Sequence, residues 1–302
     1  MSATSCLPAA AAPRRSIDAA SAAAVVVTIL AWASAFPAIR AGLAAFGPIE
    51  LGALRFAIAA VPAALYLLIA RPPLPRRGEV WRFGAGGFLF VALYTVLLNT
   101  GEETVSAGAA SFIINVNPII TAALAMILLR ERFPAVAWVG TALSFAGIGL
   151  IAWGEGRGLH VDGGALLILG SALCNSLTTI AQKPLFQRHG PLTVSAWNMV
   201  IGAFCLVPAL PSGLAQAAGA ASPGLLAAVW LGIVPSLIAY ATWSIALSRL
   251  PASRASNFMY CVPPVATLLG FLLLGETPTL LGIVGGAMAL GGVVVVNLWR
   301  SR

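Results

Sequence analysis

Apolar residues in this chain arrive in long unbroken runs separated by short clusters of charge, proline or glycine, not in the two- or 3.6-residue alternation of a half-buried element. A hydrocarbon core about 30 Å thick takes roughly 20 helical residues to cross. Runs of that length fall at 19–39, 51–70, 83–101, 105–129, 134–153, 163–182, 192–210, 224–247, 255–274 and 280–298. The pattern therefore predicts ten membrane helices. The loop between the seventh and eighth runs is itself mostly Ala and Gly, so the boundaries there are the least sharply marked.

The runs also repeat. At an offset of 145 residues, Ala110 and Ser111 fall on Ala255 and Ser256, Pro118 on Pro263, Glu131 on Glu276, Gly140 on Gly285 and Gly147 on Gly292. Five spans separate equivalent positions. Because five is odd, the second half must thread the bilayer upside down relative to the first, which is the architecture of carriers that alternate access to a central site. The expected fold is an all-α multi-pass membrane protein with two inverted five-helix repeats, 19–153 and 163–298, around a central cavity. Residues 1–18, poor in large apolar side chains, are expected to form a disordered cytoplasmic tail.

Composition agrees: 60% of the residues are hydrophobic and 9% charged, a surface no soluble domain of this length could carry. The net charge of +8 raises the question of nucleic acid, and the placement of the charges answers it. One side of the membrane receives Arg14, Arg15, Arg71, Arg76, Arg77, Arg82, Arg130, Arg132, Lys183, Arg188, Arg249, Arg254, Arg300 and Arg302; the other receives Arg40 and Arg157. That asymmetry follows the positive-inside rule and puts both termini in the cytoplasm, with the chain in the cytoplasmic (inner) membrane and no nucleic-acid partner. Ala33-Ser34-Ala35 resembles a signal-peptide cleavage site, but cleavage there would leave nine spans and break the symmetry, so the first run is read as a retained span.

Several chemistries are excluded. Cys6, Cys174, Cys205 and Cys261 are scattered, with no metal or disulfide spacing, and His160 and His189 fall in loops on opposite sides. The single lysine, Lys183, follows Gln182, so there is no phosphate-binding loop. No enzyme, metal or cofactor is expected.

Candidate binding residues are polar or aromatic side chains in mid-span, since such groups rarely face lipid. They are Trp32 and Ser34 in the first span, Arg55 in the second, and Tyr94 and Asn99 in the third. Asn115 and Asn117 follow in the fourth, Asn175 and Thr178 in the sixth, Tyr240 and Trp243 (with Ser244 beside it) in the eighth, and Tyr260 in the ninth. Pro118 and Pro263, at equivalent depths, predict paired helix interruptions that act as hinges beside a site. Arg55 is either the counter-ion of an anionic substrate group or a side chain that snorkels toward Glu50. Glu102 and Glu103 close the third span at its outer end and no carboxylate lies at mid-depth, so efflux down the substrate gradient, without a proton site, is the expectation. Gly140 and Ser144, and Gly282 and Gly286, are spaced for close packing of the fifth and tenth spans outside the cavity.

These residues carry a resemblance. Trp32-Ala33-Ser34-Ala35-Phe36, Pro48-Ile49-Glu50-Leu51 leading to Arg55-Phe56, and the paired endings Leu128-Leu129-Arg130-Glu131 and Leu273-Leu274-Gly275-Glu276 resemble the drug/metabolite transporter superfamily, EamA-like branch. Within it the chain is most similar to YddG-type exporters of aromatic and other neutral amino acids. The resemblance implies a basket in which helices 1 to 4 and 6 to 9 wall the cavity and helices 5 and 10 stay outside. It also implies a secondary transporter for amino acids or related metabolites, and the chain is expected to work as a monomer. A broad-specificity drug exporter is the alternative within transport. A channel is a further one, although no filter-like run is present.

Overall fold

The first helix starts at Asp18, whose carboxylate accepts the N–H of Ser21 at 3.2 Å and so satisfies a donor the helix itself leaves free. In the computed structural model, residues 18–105, 110, 113–131, 133–154, 163–274 and 279–299 are described; the tail through residue 17, Ser111 and Glu276 lie outside them. Every regular element among the described residues is helical. The helices are α1 (Ala19–Leu43), α2 (Pro48–Ala70) and α3 (Val80–Thr104), then α6 (Gly163–Gln187), α7 (Pro191–Gly219) and α8 (Ser222–Arg249), each long and apolar enough to cross a membrane. Shorter described stretches belong to α4 (Asn117–Leu128), α5 (Ala135–Gly154) and α10 (Leu280–Trp299). Helix α9 runs through Ala252–Asn257, a 3₁₀ turn at Phe258–Cys261, and Val262–Leu274. Proline opens α2 and α7, where the missing N–H would have had no partner anyway.

The helices begin and end beyond the apolar runs. Helix α3 starts three residues before the run at 83 and continues through Glu102 and Glu103. Backbone hydrogen bonding does not stop where hydropathy does, so charged residues close the helices that apolar residues define.

Two helices contain wide turns. In α3 the stretch Gly86–Leu93, and in α8 the stretch Gly232–Ile238, are π-helical, with hydrogen bonds closing five residues apart. Pro235 supplies a cause in α8, because it lacks the N–H that would bond to the carbonyl of Leu231. The hydroxyl of Ser236 donates to that carbonyl instead, at 2.8 Å. Pro118 stands in the first turn of α4, directly after a turn at Asn115–Val116, and Pro263 stands in the first turn after the 3₁₀ segment of α9. Both prolines thus follow a break in the helix and do not kink a continuous one.

Helices α5 and α10 pack against each other at backbone distance. A Cβ on Gly140 would lie 2.7 Å from the carbonyl oxygen of Gly292, and one on Gly147 would lie 2.5 Å from that of Gly285. Midway, the Ser144 hydroxyl donates to the Ala289 carbonyl at 2.8 Å. Only glycine permits this approach, and its α10 members are Gly285 and Gly292 rather than the Gly282 and Gly286 expected from spacing.

The distribution of polarity is the reverse of a water-soluble core. Leu68, Ile69, Phe204 and Leu226 face outward while Arg55, Asn99, Asn117, Gln182 and Asn198 are buried. Lipid solvates the first set, and the second set is satisfied largely by protein contacts, such as the Gln182–Asn198 amide pair at 2.6 Å.

One end of the bundle is held by charge. Arg249 pairs with Asp18 at 2.5 Å, and Glu79 takes Arg188 at 2.7 Å and His189 at 3.1 Å. The N–H of Arg76 and the His189 ring, with Arg188 beside them, hold the Glu79 carboxyl well below the ordinary carboxylate range, at about 2. At the same end, Arg130 takes a left-handed conformation (φ 54°) that turns the chain out of α4. Glu131 then accepts from the N–H groups of Ala252 and Ser253 at 2.9 and 3.2 Å and from the Ser253 hydroxyl at 2.7 Å. The ending Leu128-Leu129-Arg130-Glu131 thereby caps α9. Lys183 completes the clamp by donating to the carbonyls of Leu247 and Leu250.

Candidate substrate cavity

The wide turn of α3, the 3₁₀ turn of α9 and the break before α4 border one cavity that is partly open to its surroundings. Its walls are Trp32, Ala35, Phe36 and Ile39 from α1, Arg55 from α2, and Phe90, Tyr94 and Leu98 from α3. Ile114, Asn115 and Asn117 add the break and start of α4, Asn175 comes from α6, Tyr240 from α8, and Met259 and Val262 from α9. Among the described residues, α5 and α10 contribute nothing to the wall, and neither does α7, which packs outside against α2 and α3.

The aromatic wall is fixed through carbonyls within the π turns. Tyr240 donates its hydroxyl to Phe90 O at 2.9 Å and stacks on the Phe90 ring at 4.5 Å. Trp32 donates Nε1 to Pro235 O at 3.1 Å and meets Tyr240 edge-on at 5.9 Å. Both wide turns are therefore pinned by a side chain from the opposite half of the chain.

Arg55 is 3% exposed. Its Nε donates to Ser236 Oγ at 2.5 Å, and its guanidinium lies 5.0 Å from the centre of the Phe56 ring. The pairing with Glu50 does not form; Glu50 instead accepts from the Ser212 hydroxyl at 3.1 Å. Arg55 thus presents a buried positive charge to the cavity with no carboxylate in salt-bridge contact among the described residues. The amide of Asn117 is anchored by Ser176 at 2.6 Å and Thr121 at 2.9 Å, tying α4 to α6.

Of the sequence candidates, Trp32, Arg55, Tyr94, Asn115, Asn117, Asn175 and Tyr240 reach the cavity. The others are placed elsewhere. Ser34 bonds to Ala31 O and to Trp230 Nε1 on the lipid-facing flank. Asn99 donates to Pro48 O at 2.9 Å and so joins α3 to the start of α2. Thr178 is buried away from the wall; Trp243 stands behind Trp32 at 5.5 Å; Tyr260 packs with Ile148, Ala289 and Val293 toward α5 and α10. The apolar wall residues Phe36, Ile39, Phe90, Leu98, Met259 and Val262 gave no signal in the sequence, because hydropathy does not separate a residue facing a cavity from one facing lipid. Glu102, assigned from sequence to the outer end of a span, is buried, with its Oε1 unpartnered.

Comparison with known proteins fits this geometry. The chain belongs to the EamA-like transporter family, which matches it over residues 20–153 and again over 162–298. It is 36% identical over 278 residues to a protein of Streptantibioticus cattleyicolor named "Probable terminal-alkyne amino-acid exporter", covering 91% of this chain and 92% of that one. It is 34% identical to the uncharacterized transporter YdfC of Bacillus subtilis, covering 88% and 87%. It is 26% identical to a Salmonella typhimurium protein named "Probable amino-acid metabolite efflux pump", covering 92% and 94%. One solved crystal structure, 22% identical, shares the fold with a TM-score of 0.76 over 94% of this chain and 100% of that chain. The protein is accordingly a multi-pass membrane transporter, not an enzyme.

Proposed function

We propose that this EamA-like transporter exports amino acids, aromatic and other neutral ones, or closely related metabolites across the cytoplasmic membrane by alternating access. The observation that carries the reading is the cavity itself: one buried cation, three amides and a wall of aromatic rings. A carboxylate is the group that a buried, unpaired guanidinium binds best, because the pair is charge-assisted and bidentate. Rings around Trp32, Phe90 and Tyr240 suit an apolar or aromatic side chain. Relatives named as amino-acid exporters support the same substrate class.

Alternation is assigned to two inverted halves, 19–153 and 163–298, that rock about the breaks before Pro118 and Pro263. Three features support this. The family matches the chain twice. The π turns at Gly86–Leu93 and Gly232–Ile238 stand nearly one repeat offset apart. The α5–α10 contact is reciprocal: Gly140 meets Gly292 and Gly147 meets Gly285, the pattern a two-fold axis imposes on equivalent residues. The distribution of basic residues supports cytoplasmic termini, and a cavity lined by a single chain supports the monomer as the working unit.

Counterflow of labelled L-phenylalanine in proteoliposomes tests the substrate class. Saturable exchange by the wild type that collapses in Arg55→Ala supports the reading. Exchange that survives in Arg55→Ala removes the carboxylate anchor. Transport of cationic dyes with no amino-acid exchange makes the chain a drug exporter instead, and unitary conductance steps make it a channel.

A further inference from the structure

Glu102 is a buried carboxyl that the reading above leaves without a role. It lies on α3 one turn beyond the cavity-lining Leu98, about 6 Å further along the helix axis. The residue is 8% exposed, its Oε1 has no hydrogen-bond partner, and no cation pairs with it among the described residues. The charges that act on it are Arg40 of α1, next to the cavity-lining Ile39, and Arg55 of α2. Tyr94 lies about two turns back on the same helix, in the cavity wall, and Glu103 beside it is exposed. The one acid of α2, Glu50, is held on Ser212; in α6 the described ionisable groups are Cys174 and, at the far end, Lys183, which bonds Leu247 and Leu250.

A carboxylate buried without hydrogen bonds is costly, and two changes relieve the cost: it binds a proton, or it moves onto a cation. The side chain of Arg55 holds one neutral hydroxyl, that of Ser236, and otherwise faces the cavity. Arg40 is solvent-exposed, so water screens its charge, whereas Arg55 is buried; an ionised Glu102 and a substrate carboxylate therefore compete for the guanidinium of Arg55. We propose that Glu102 is a proton-binding site that controls Arg55: protonated, it leaves the guanidinium to the substrate, and ionised, it pairs with Arg55 and displaces the substrate. One proton is taken from solvent when the substrate carboxylate replaces Glu102 on Arg55, and one is returned when the Glu102–Arg55 pair re-forms. This replaces the expectation of efflux without a proton site, and it rests on Arg55 as the carboxylate anchor.

The test uses the full chain in nanodiscs, with L-phenylalanine as probe in equilibrium dialysis between about pH 5.5 and about pH 8.5, alongside infrared difference spectra of the protonated carboxyl band. In the wild type, affinity falls by up to about tenfold per pH unit above the titration of Glu102. Affinity in E102Q is flat across the range, E102D keeps a slope, and the carboxyl band lost on alkalinisation is missing from E102Q. Equal wild-type affinity at both extremes, or an E102Q slope matching wild type, overturns the proposal. If L-phenylalanine binds at no pH, the amino-acid reading fails while the infrared band still decides Glu102. Should E102Q not fold, E102D decides: a band displaced from its wild-type position supports the assignment, and an unmoved band refutes it.

Discussion

The two ends of the helix bundle are built differently. At the end that carries Asp18, charge is paired: Asp18 with Arg249, Glu79 with Arg188 and His189, Glu131 with the start of α9, and Lys183 with the end of α8. Toward the other end, where Ile39 and Leu98 extend the cavity wall, Arg40 and Glu102 are near one another without forming an ion pair. A carrier needs contacts that can be made at one end and released at the other. Under the proposed alternating access, the clamped end is the one whose polar bonds would break for loading, and the end without described ion pairs is the one that would close.

The largest effect expected is at the α5–α10 contact, not at either end. Gly147→Val drives a branched side chain into the Gly285 carbonyl, where even a Cβ would be 2.5 Å away. Overpacking of this kind costs about 1–3 kcal/mol, so folded yield and thermal midpoint should drop sharply, with size-exclusion and scanning fluorimetry as the readouts. An unchanged midpoint would mean that α5 and α10 are not in backbone contact.

Next comes Arg55→Lys. A lysine keeps the charge but loses the fork that binds a carboxylate in two places, so L-phenylalanine counterflow should fall by about tenfold while Arg55→Ala abolishes it.

Smaller still is the release of one clamp contact. Glu131→Ala removes the cap on α9, a loss of about 1 kcal/mol, and amide exchange at Ala252–Asn257 should speed up several-fold with no change in α5 or α10. Protection that stays at the wild-type level would show that Glu131 does not hold this end.

The smallest effect is acid sensitivity at Glu79. Its carboxyl is held at about 2, below the ordinary 4.5, so its contribution to stability is fully present above about pH 4.5 and is lost as pH falls through about 2. Thermal midpoints of the wild type and Glu79→Gln should therefore converge as pH drops through that window. Curves that stay parallel would remove Glu79 from the clamp.

Much of this architecture was legible in the chain. Apolar run length gave the helices, and the 145-residue offset gave the equivalence of Gly140 with Gly285 that the α5–α10 contact uses. Arg55, Asn117 and Tyr240 stood out because a polar group in an apolar run needs a partner, and each has one facing or beside the cavity. The same rule could not distinguish Ser34, Asn99 or Tyr260, whose needs are met by a flank, a neighbouring helix and a packing core. The π turn at Gly86–Leu93 left no mark, since its sequence has no proline, whereas Pro235 announces its counterpart in α8. The burial of Glu102 was also hidden, because depth in a bundle depends on the neighbours of a helix end and not on its place in the run.

The central claim is that the two ends exchange roles. Spin labels at Arg77 and Gln187 report the clamped end, and labels at the exposed Ala44 and Gly163, on the end of α1 and the start of α6, the opposite end, with pulsed dipolar distances measured with and without L-phenylalanine. The account predicts two populations at each pair that shift in opposite directions, the first pair lengthening as the second shortens. Single distances at both pairs, unmoved by substrate, would contradict it.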